Sequence, residues 1–230
     1  MNYLIKSKRA RFALSVNPEP IFHIGHLYGL LYTREYAKRN KLEFHLRYDD
    51  TYVVNANNHT KYPNKDSRWE NDITSHKPGC GIYEMLRPSN LVSEYVNKTT
   101  ALFDDIGIKF DKKYILTDMK KEIPRDTLSF LEFIPFFFYE DAIWSESVIC
   151  RGMEWDINSG EYRDISKMQF MILDYLKCNY KVINFNLIKD NDIKISKSDG
   201  SGNRFNILNF EKKYLYDIID IIENKIKGEI

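Results

Sequence analysis

The chain has 230 residues, 43% of them apolar, enough for one sizeable globular body. Its 34 basic and 33 acidic side chains leave a net charge of +1, so the broad positive field of a protein that coats nucleic acid is absent and DNA is not an expected partner. Cys80, Cys150 and Cys178 form no CxxC pair, which excludes a zinc knuckle or a disulfide framework and reads as reduced, packed thiols.

The opening MNYLIKSKRARFALSV contains too short an apolar run for a signal peptide, and no later stretch has the uncharged span that crosses a bilayer. The expected location is therefore cytoplasmic, with no membrane partner. RFALSV is rich in strand formers, NPEP breaks it, and Leu27, Leu30, Leu31 and Ala37 then recur at helical spacing. KLEFHLRYDD reads as a second strand, so the opening third predicts a βαβ unit of a doubly wound, parallel α/β sheet. Functional groups of such a sheet gather at the carboxyl ends of its strands.

From Thr51 to Pro88 the sequence is polar, rich in Asn, Pro and Gly, and without clear period, which predicts an irregular excursion. A helix from about Ser89 to Ile106 is stopped by Gly107, and a short strand follows near KKYILTD. LSFLEFIPFFFYEDAIW is the most aromatic run; Glu132, Pro135, Glu140 and Asp141 interrupt it, which predicts buried packing beside a pocket. SVICRG then reads as a buried strand, EYRDISKMQFMILDYLKCN as an amphipathic helix and KVINFNLI as a further strand. Phe210, Tyr214, Ile218, Ile222 and Ile226, at four-residue steps, predict a closing packed helix.

The stretch IFHIGHLYGL carries His23 and His26 at the start of the first helix. Alone, this pattern has three readings: a packed histidine pair, half of a metal site, or a phosphate-facing turn. Its placement favours the last, because a helix N-terminus offers N–H groups and positive partial charge, and imidazoles three residues apart stand on one side of it. Gly25, lacking a side chain, would let a flat base lie against the backbone.

RFALSVNPEPIFHIGHLYGLLYTREYAKRNKLEFHLRYDDT resembles the opening of the class I aminoacyl-tRNA synthetases, specifically the glutamyl and glutaminyl branch, with its Arg-Phe-Ala-x-Ser strand, HIGH signature and acidic strand end. NDIKISKSDGSG resembles the second signature of that family, the KMSKS loop, and VICRGMEW its Arg-Gly-Glu-Glu-Trp segment. The resemblance implies a single catalytic domain over 1–230 with a Rossmann-like, HIGH-superfamily fold. Its first half spans 1–55, a reduced connective region 56–135, and a second half with the KISKS loop 136–230. The interval from Lys120 to Pro135 leaves little room for the acceptor-arm domain that the family inserts, and the residues after Ser198 suffice for a loop and one helix.

The activity implied is attack of an amino-acid carboxylate on the α-phosphorus of ATP, forming an aminoacyl-adenylate and releasing pyrophosphate, with Mg²⁺ bridging phosphate oxygens. No metal site built from the chain alone is expected. By resemblance His23, His26, Lys194 and Lys197 are catalytic, and Gly25, Trp155 and Ser196 join them around ATP. Arg11, Ser15, Asp49, Phe133, Phe137 and Arg151 would surround the amino acid, glutamate or an analogue, since guanidinium forks suit a carboxylate. The acyl group would pass to tRNA or to another acceptor, and with so even a charge, tRNA would need a partner subunit. LSVNP in place of the usual Pro-Ser-Pro-Thr-Gly run, Met153 in place of an acid, Ser198 in place of arginine, and Phe133 and Phe137 at positions that are polar in the family mark a divergent paralogue. The alternative is a non-catalytic relative that binds amino acid, nucleotide or RNA as a sensor or accessory subunit.

Overall fold

The computed structural model of the protein describes residues 4–16, 21–55, 82–123, 134–152, 160–186, 188–190, 193–194 and 205–230. Its centre is a five-stranded sheet. β1 (Ile5–Ser15) leads to α1 (Ile24–Asn40), then β2 (Glu43–Asp49). A side hairpin follows, β3 (Thr51–Asn55) paired antiparallel with β4 (Ile82–Leu86), and then α2 (Ser89–Asp105) and β5 (Lys112–Ile115). Two short helices, α3 (Leu116–Lys120) and α4 (Phe136–Tyr139), precede a 3-10 turn at Glu140–Ile143 and β6 (Trp144–Gly152). The remainder is α5 (Gly160–Tyr175), β7 (Tyr180–Phe185), the small pair β8 (Lys189–Asp190) and β9 (Ile193–Lys194), a 3-10 turn at Ile207–Asn209, and α6 (Lys212–Glu229).

The strand order is β5-β2-β1-β6-β7, and every neighbouring pair is parallel. From β1 the chain winds outward one way through β2 to β5, then returns to the other side of β1 and winds outward through β6 to β7. β1 and β6 thus flank the point where the winding reverses, the place where an open α/β sheet forms a crevice at its strand ends. The expected doubly wound parallel α/β sheet is what the chain forms.

Alternation along the strands sorts the two faces. Ala10, Phe12 and Leu14 of β1, Phe44, Leu46 and Tyr48 of β2, and Val148 and Cys150 of β6 join the apolar faces of α1, α2 and α6 in one large core. Gly29 of α1 lies so close to the sheet that a Cβ would come within 2.6 Å of both Phe12 and Phe185, so only glycine lets the helix sit at this depth. On the opposite face Tyr114, Ile149 and Trp144 pack with α3, α4 and α5.

The predicted helices and sheet strands all form, and Gly107 adopts φ +70° where it stops α2. The expected irregular excursion is corrected at both ends: Thr51–Asn55 and Ile82–Leu86 are strands, running from Thr51 opposite Leu86 to Asn55 opposite Ile82. Glu84 explains part of their placement. Its buried carboxylate accepts from the Phe136 and Phe137 backbone N–H groups at 2.7 and 3.0 Å and from the Thr51 hydroxyl at 3.1 Å, tying the hairpin to the aromatic segment.

Candidate functional site

At the carboxyl end of β1 the chain turns into α1 through His23, the N-cap residue. The helix start is closed on itself. The Gly25 N–H donates to His23 Nδ1 at 3.1 Å, the His26 and Leu27 N–H groups donate to the His23 carbonyl at 2.8 and 3.2 Å, and the Ile24 N–H donates to the Phe205 carbonyl at 3.3 Å. In return the His23 N–H donates to His26 Nδ1 at 3.3 Å. This is a capping box built from two histidines instead of the usual hydroxyl and carboxylate.

The consequence for the imidazoles is specific. A ring nitrogen that accepts a hydrogen bond carries no proton, so each ring is held as the neutral tautomer with its hydrogen on Nε2. The rings stack at 3.6 Å between centroids and 23° between planes. The expected use of the helix's own N–H groups is corrected here, because the first of them are already satisfied within the chain. What this end presents to an anion is the imidazole pair and the helix dipole. Gly25 also makes room for the cap itself, since a Cβ there would stand 3.0 Å from the His23 ring.

The seam that fixes this turn comes from the far end of the chain. Asn206 pairs with His23 as an antiparallel bridge, the Ile207 N–H donates to the Phe22 carbonyl at 2.8 Å, and Asn206 Oδ1 accepts from the Phe22 N–H at 3.0 Å. Farther along, α6 lies against α1, where Tyr28 hydrogen-bonds Glu229 and Arg34 Nη2 reaches Glu223 at 2.5 Å.

On the α5 side of the sheet, below the carboxyl ends of β1 and β2, sits a buried ionic floor. Glu140 Oε1 accepts from Arg9 at 2.7 Å, from the Tyr114 hydroxyl at 2.8 Å and from the Trp144 indole at 2.9 Å, while its Oε2 accepts from Arg9 and Arg47, both at 2.8 Å. Asp141 takes the Nε and Nη2 of Arg11 at 2.6 and 2.7 Å, Arg9 Nη2 at 2.8 Å, and hydrogen bonds from Ser147 and Gln169. Arg47 also holds both oxygens of Asp49, at 2.6 and 3.2 Å. Arg9, Glu140 and Asp141 have no exposed side-chain surface, and the arginines balance the carboxylates charge for charge.

Such a set is viable only if nearly every donor and acceptor is used. Burial alone would raise the Glu140 carboxyl, but the charges of Arg9 and Arg47 outweigh it and hold it well below the usual carboxylate range. Asp141 is lowered in the same way, burial opposing and Arg11 prevailing. The sequence reading missed Arg9, Arg47, Glu140 and Asp141 as a unit.

Of the predicted amino-acid residues, Arg11 and Asp49 therefore belong to this floor, each already ion-paired. Phe137 lies with its ring 5.3 Å from the Arg47 guanidinium, and Ser15 stands exposed at the end of β1, paired in register with Asp49. Arg151, at the end of β6 and half-buried, stacks over Phe170 at 4.8 Å with longer bonds to Asn184 and Ser166 at 3.3 and 3.4 Å. The backbone of Lys194 lies in β9, paired with Lys189. Phe133, Trp155, Ser196 and Lys197 fall outside the described residues.

No protein-family profile and no curated protein matches the chain. Among solved structures, the chain is similar to a tryptophanyl-tRNA synthetase from the hyperthermophilic archaeon Aeropyrum pernix K1, at 10% identity and TM-score 0.42 over 84% of this chain and 52% of that one. It is also similar to a glutamate-tRNA synthetase from Elizabethkingia anophelis, at 16% identity and TM-score 0.37 over 87% of this chain and 54% of that one. A glutamate tRNA ligase from Elizabethkingia meningosepticum in complex with its amino acid gives the same identity and TM-score, with 53% of that chain covered. The chain spans about half the length of each. The fold assignment rests on the strand order and register described above. Among the described residues no helix is long and apolar enough to cross a membrane, and no group of three or more His, Cys, Asp or Glu side chains is placed to hold a metal ion.

Proposed function

We propose that this chain activates an amino acid: the carboxylate attacks the α-phosphorus of ATP, the bond to the β-phosphate breaks, and pyrophosphate leaves as the aminoacyl-adenylate forms. The observation that carries this reading is the neutral, stacked His23 and His26 pair with its hydrogens on Nε2, placed where the sheet winding reverses. Two neutral donors and a helix dipole suit an anion whose charge shifts during reaction, because they stabilise it without competing for its proton.

Lys194 and Lys197 are the cations of this reading. Phe205, eight residues after Lys197, is hydrogen-bonded to Ile24 beside the imidazoles. A chain of that length spans up to roughly 28 Å, which is compatible with Lys197 meeting the same phosphates. Mg²⁺, where bound, would neutralise phosphate charge as part of the nucleotide complex. Gly25, Ser196 and Trp155 complete the nucleotide side.

The amino acid is glutamate or an analogue, with Ser15, Phe133 and Phe137 beside it. Arg151 is the arginine that meets its side chain, while Arg11, ion-paired to Asp141, shapes the floor beneath. The acyl group then passes to tRNA brought by a partner subunit, or to another acceptor. A second reading, a binding protein without turnover, is favoured by one observation: Arg11 and Asp49 are each already satisfied within the chain.

ATP–pyrophosphate exchange across the twenty amino acids separates the two. Activation predicts exchange with at least one of them, abolished in Lys197→Ala with ATP affinity changed far less than turnover. Thermal stabilisation by ATP without exchange for any amino acid refutes activation and leaves the binding reading.

A further inference from the structure

His23 is placed in part through the residues on either side of it. The Phe22 N–H goes to Asn206 Oδ1 at 3.0 Å, the Phe22 carbonyl accepts from the Ile207 N–H at 2.8 Å, and the Ile24 N–H goes to the Phe205 carbonyl at 3.3 Å. The segment 205–207 therefore grips the backbone immediately before and after the first imidazole. Within that segment the Asn206 side chain itself takes part in these hydrogen bonds.

Its amide oxygen has a second duty. It also accepts from the Leu208 N–H at 3.3 Å, which makes Asn206 the N-cap of the 3-10 turn at Ile207–Asn209. Because both neighbours are backbone donors, the oxygen must face them, and the orientation of the side-chain amide follows. The residue is 7% exposed, so a lost acceptor here leaves two backbone N–H groups with little access to water.

We propose that Asn206 is a positioning residue for the imidazole pair: by joining the cap of its own turn to the Phe22 N–H, it sets the angle at which the chain enters α1 and so keeps both histidines as Nε2–H donors. The kinetic part of this proposal rests on the activation reaction above, whereas its spectroscopic part does not. Without the Asn206 oxygen, Phe22 loses its side-chain anchor. His23 can then rotate, and the reciprocal bonds from Gly25 to His23 and from His23 to His26 loosen together.

The test uses the full chain with ¹⁵N-labelled histidine. In the unmodified protein the long-range ¹H–¹⁵N correlations of His23 and His26 should show Nδ1 as acceptor and Nε2 as protonated. Asn206→Ala should average the His23 pattern between tautomers and lower the turnover of exchange roughly 10-fold to 100-fold, with the amino-acid KM nearly unchanged. Asn206→Asp retains an oxygen acceptor in the same place and should keep both tautomer patterns even where its added charge lowers activity. A residue that merely stabilises the fold would lower the melting temperature in Asn206→Ala and leave the tautomers as they were; that result overturns the proposal. If Asn206→Ala does not fold, Asn206→Asp decides alone: a folded Asp variant with averaged His23 signals overturns it equally. Tautomers that depend on Asn206 in a chain that exchanges with no amino acid would support the positioning role while refuting activation.

Discussion

The histidine turn and the ionic floor are both met along β1 and its exit, yet they are fixed by opposite means. The turn is uncharged and is held mainly by backbone carbonyls, those of His23, Phe22 and Phe205, with the Asn206 side-chain oxygen and the two imidazoles completing the set. The floor is held by side chains, through arginine–carboxylate bonds of 2.6 to 3.2 Å that are almost wholly shielded from water. A turn held this way can lose a side chain without stranding a charge. A buried ionic site cannot, because each group removed leaves an opposite charge stranded.

The largest effect should come from the floor. Glu140→Gln leaves Arg9 and Arg47 short of a counter-charge in a water-free setting, and should cost about 3–5 kcal/mol of unfolding free energy in a denaturant titration. A loss below about 1 kcal/mol would mean that the floor is not ion-held. The turn should behave in the reverse way. His23→Asn keeps a capping oxygen and should stay within about 0.5 kcal/mol of the parent stability, whereas His23→Ala should lose about 1 kcal/mol. Both should lower exchange by roughly 100-fold, since the Nε2 donor is gone from each.

The smallest effect is on the pH dependence of stability. Burial lifts the Asp50 carboxyl from 3.8 to about 6, so as pH falls through 6 the folded chain takes up this proton first and gains stability. Burial, with the Arg9 charge next, lowers the His45 imidazole from 6.5 to about 4, so over nearly the same range the unfolded chain takes up that proton first and the folded chain loses stability. The two oppose each other between about pH 6 and 4, and their joint effect on the melting temperature there should be small. Glu140 and Asp141 have depressed folded values, so the stability they supply is complete above their ordinary carboxylate range and is lost as pH falls below about 4. A steady decline in melting temperature from pH 6 downward would refute this division.

Much of the fold was legible because helix and strand periods here are local. The βαβ opening, Gly107 as a stop and the closing helix each declare themselves within about a dozen residues. β3 and β4 do not, since they pair across an interval with no two-residue turn to announce a hairpin. The floor was hidden for a different reason. Arg9, Arg11, Arg47 and Asp49 alternate with apolar residues, which reads as a sheet with one wet face, but α4, α5 and the turn carrying Glu140 and Asp141 cover that face. The useful signal was the pair of acids closing the aromatic run FFFYEDAIW, because carboxylates buried among aromatics need cationic partners. Asn206 gives less warning: FNILNF carries a cap residue before a turn too short to stand out.

The seam between residues 205–207 and the start of α1 also bears on how this polypeptide is made. The imidazole turn is synthesised well before its partners, which follow it by 184 residues at the Phe22–Asn206 bond. Vectorial folding can assemble β1, α1 and β2 early, since their contacts are near in sequence, whereas the turn itself must wait for β6, β7 and the segment beyond. A nascent chain stalled short of Phe205 would thus hold much of its scaffold and lack the bonds that fix the imidazole turn.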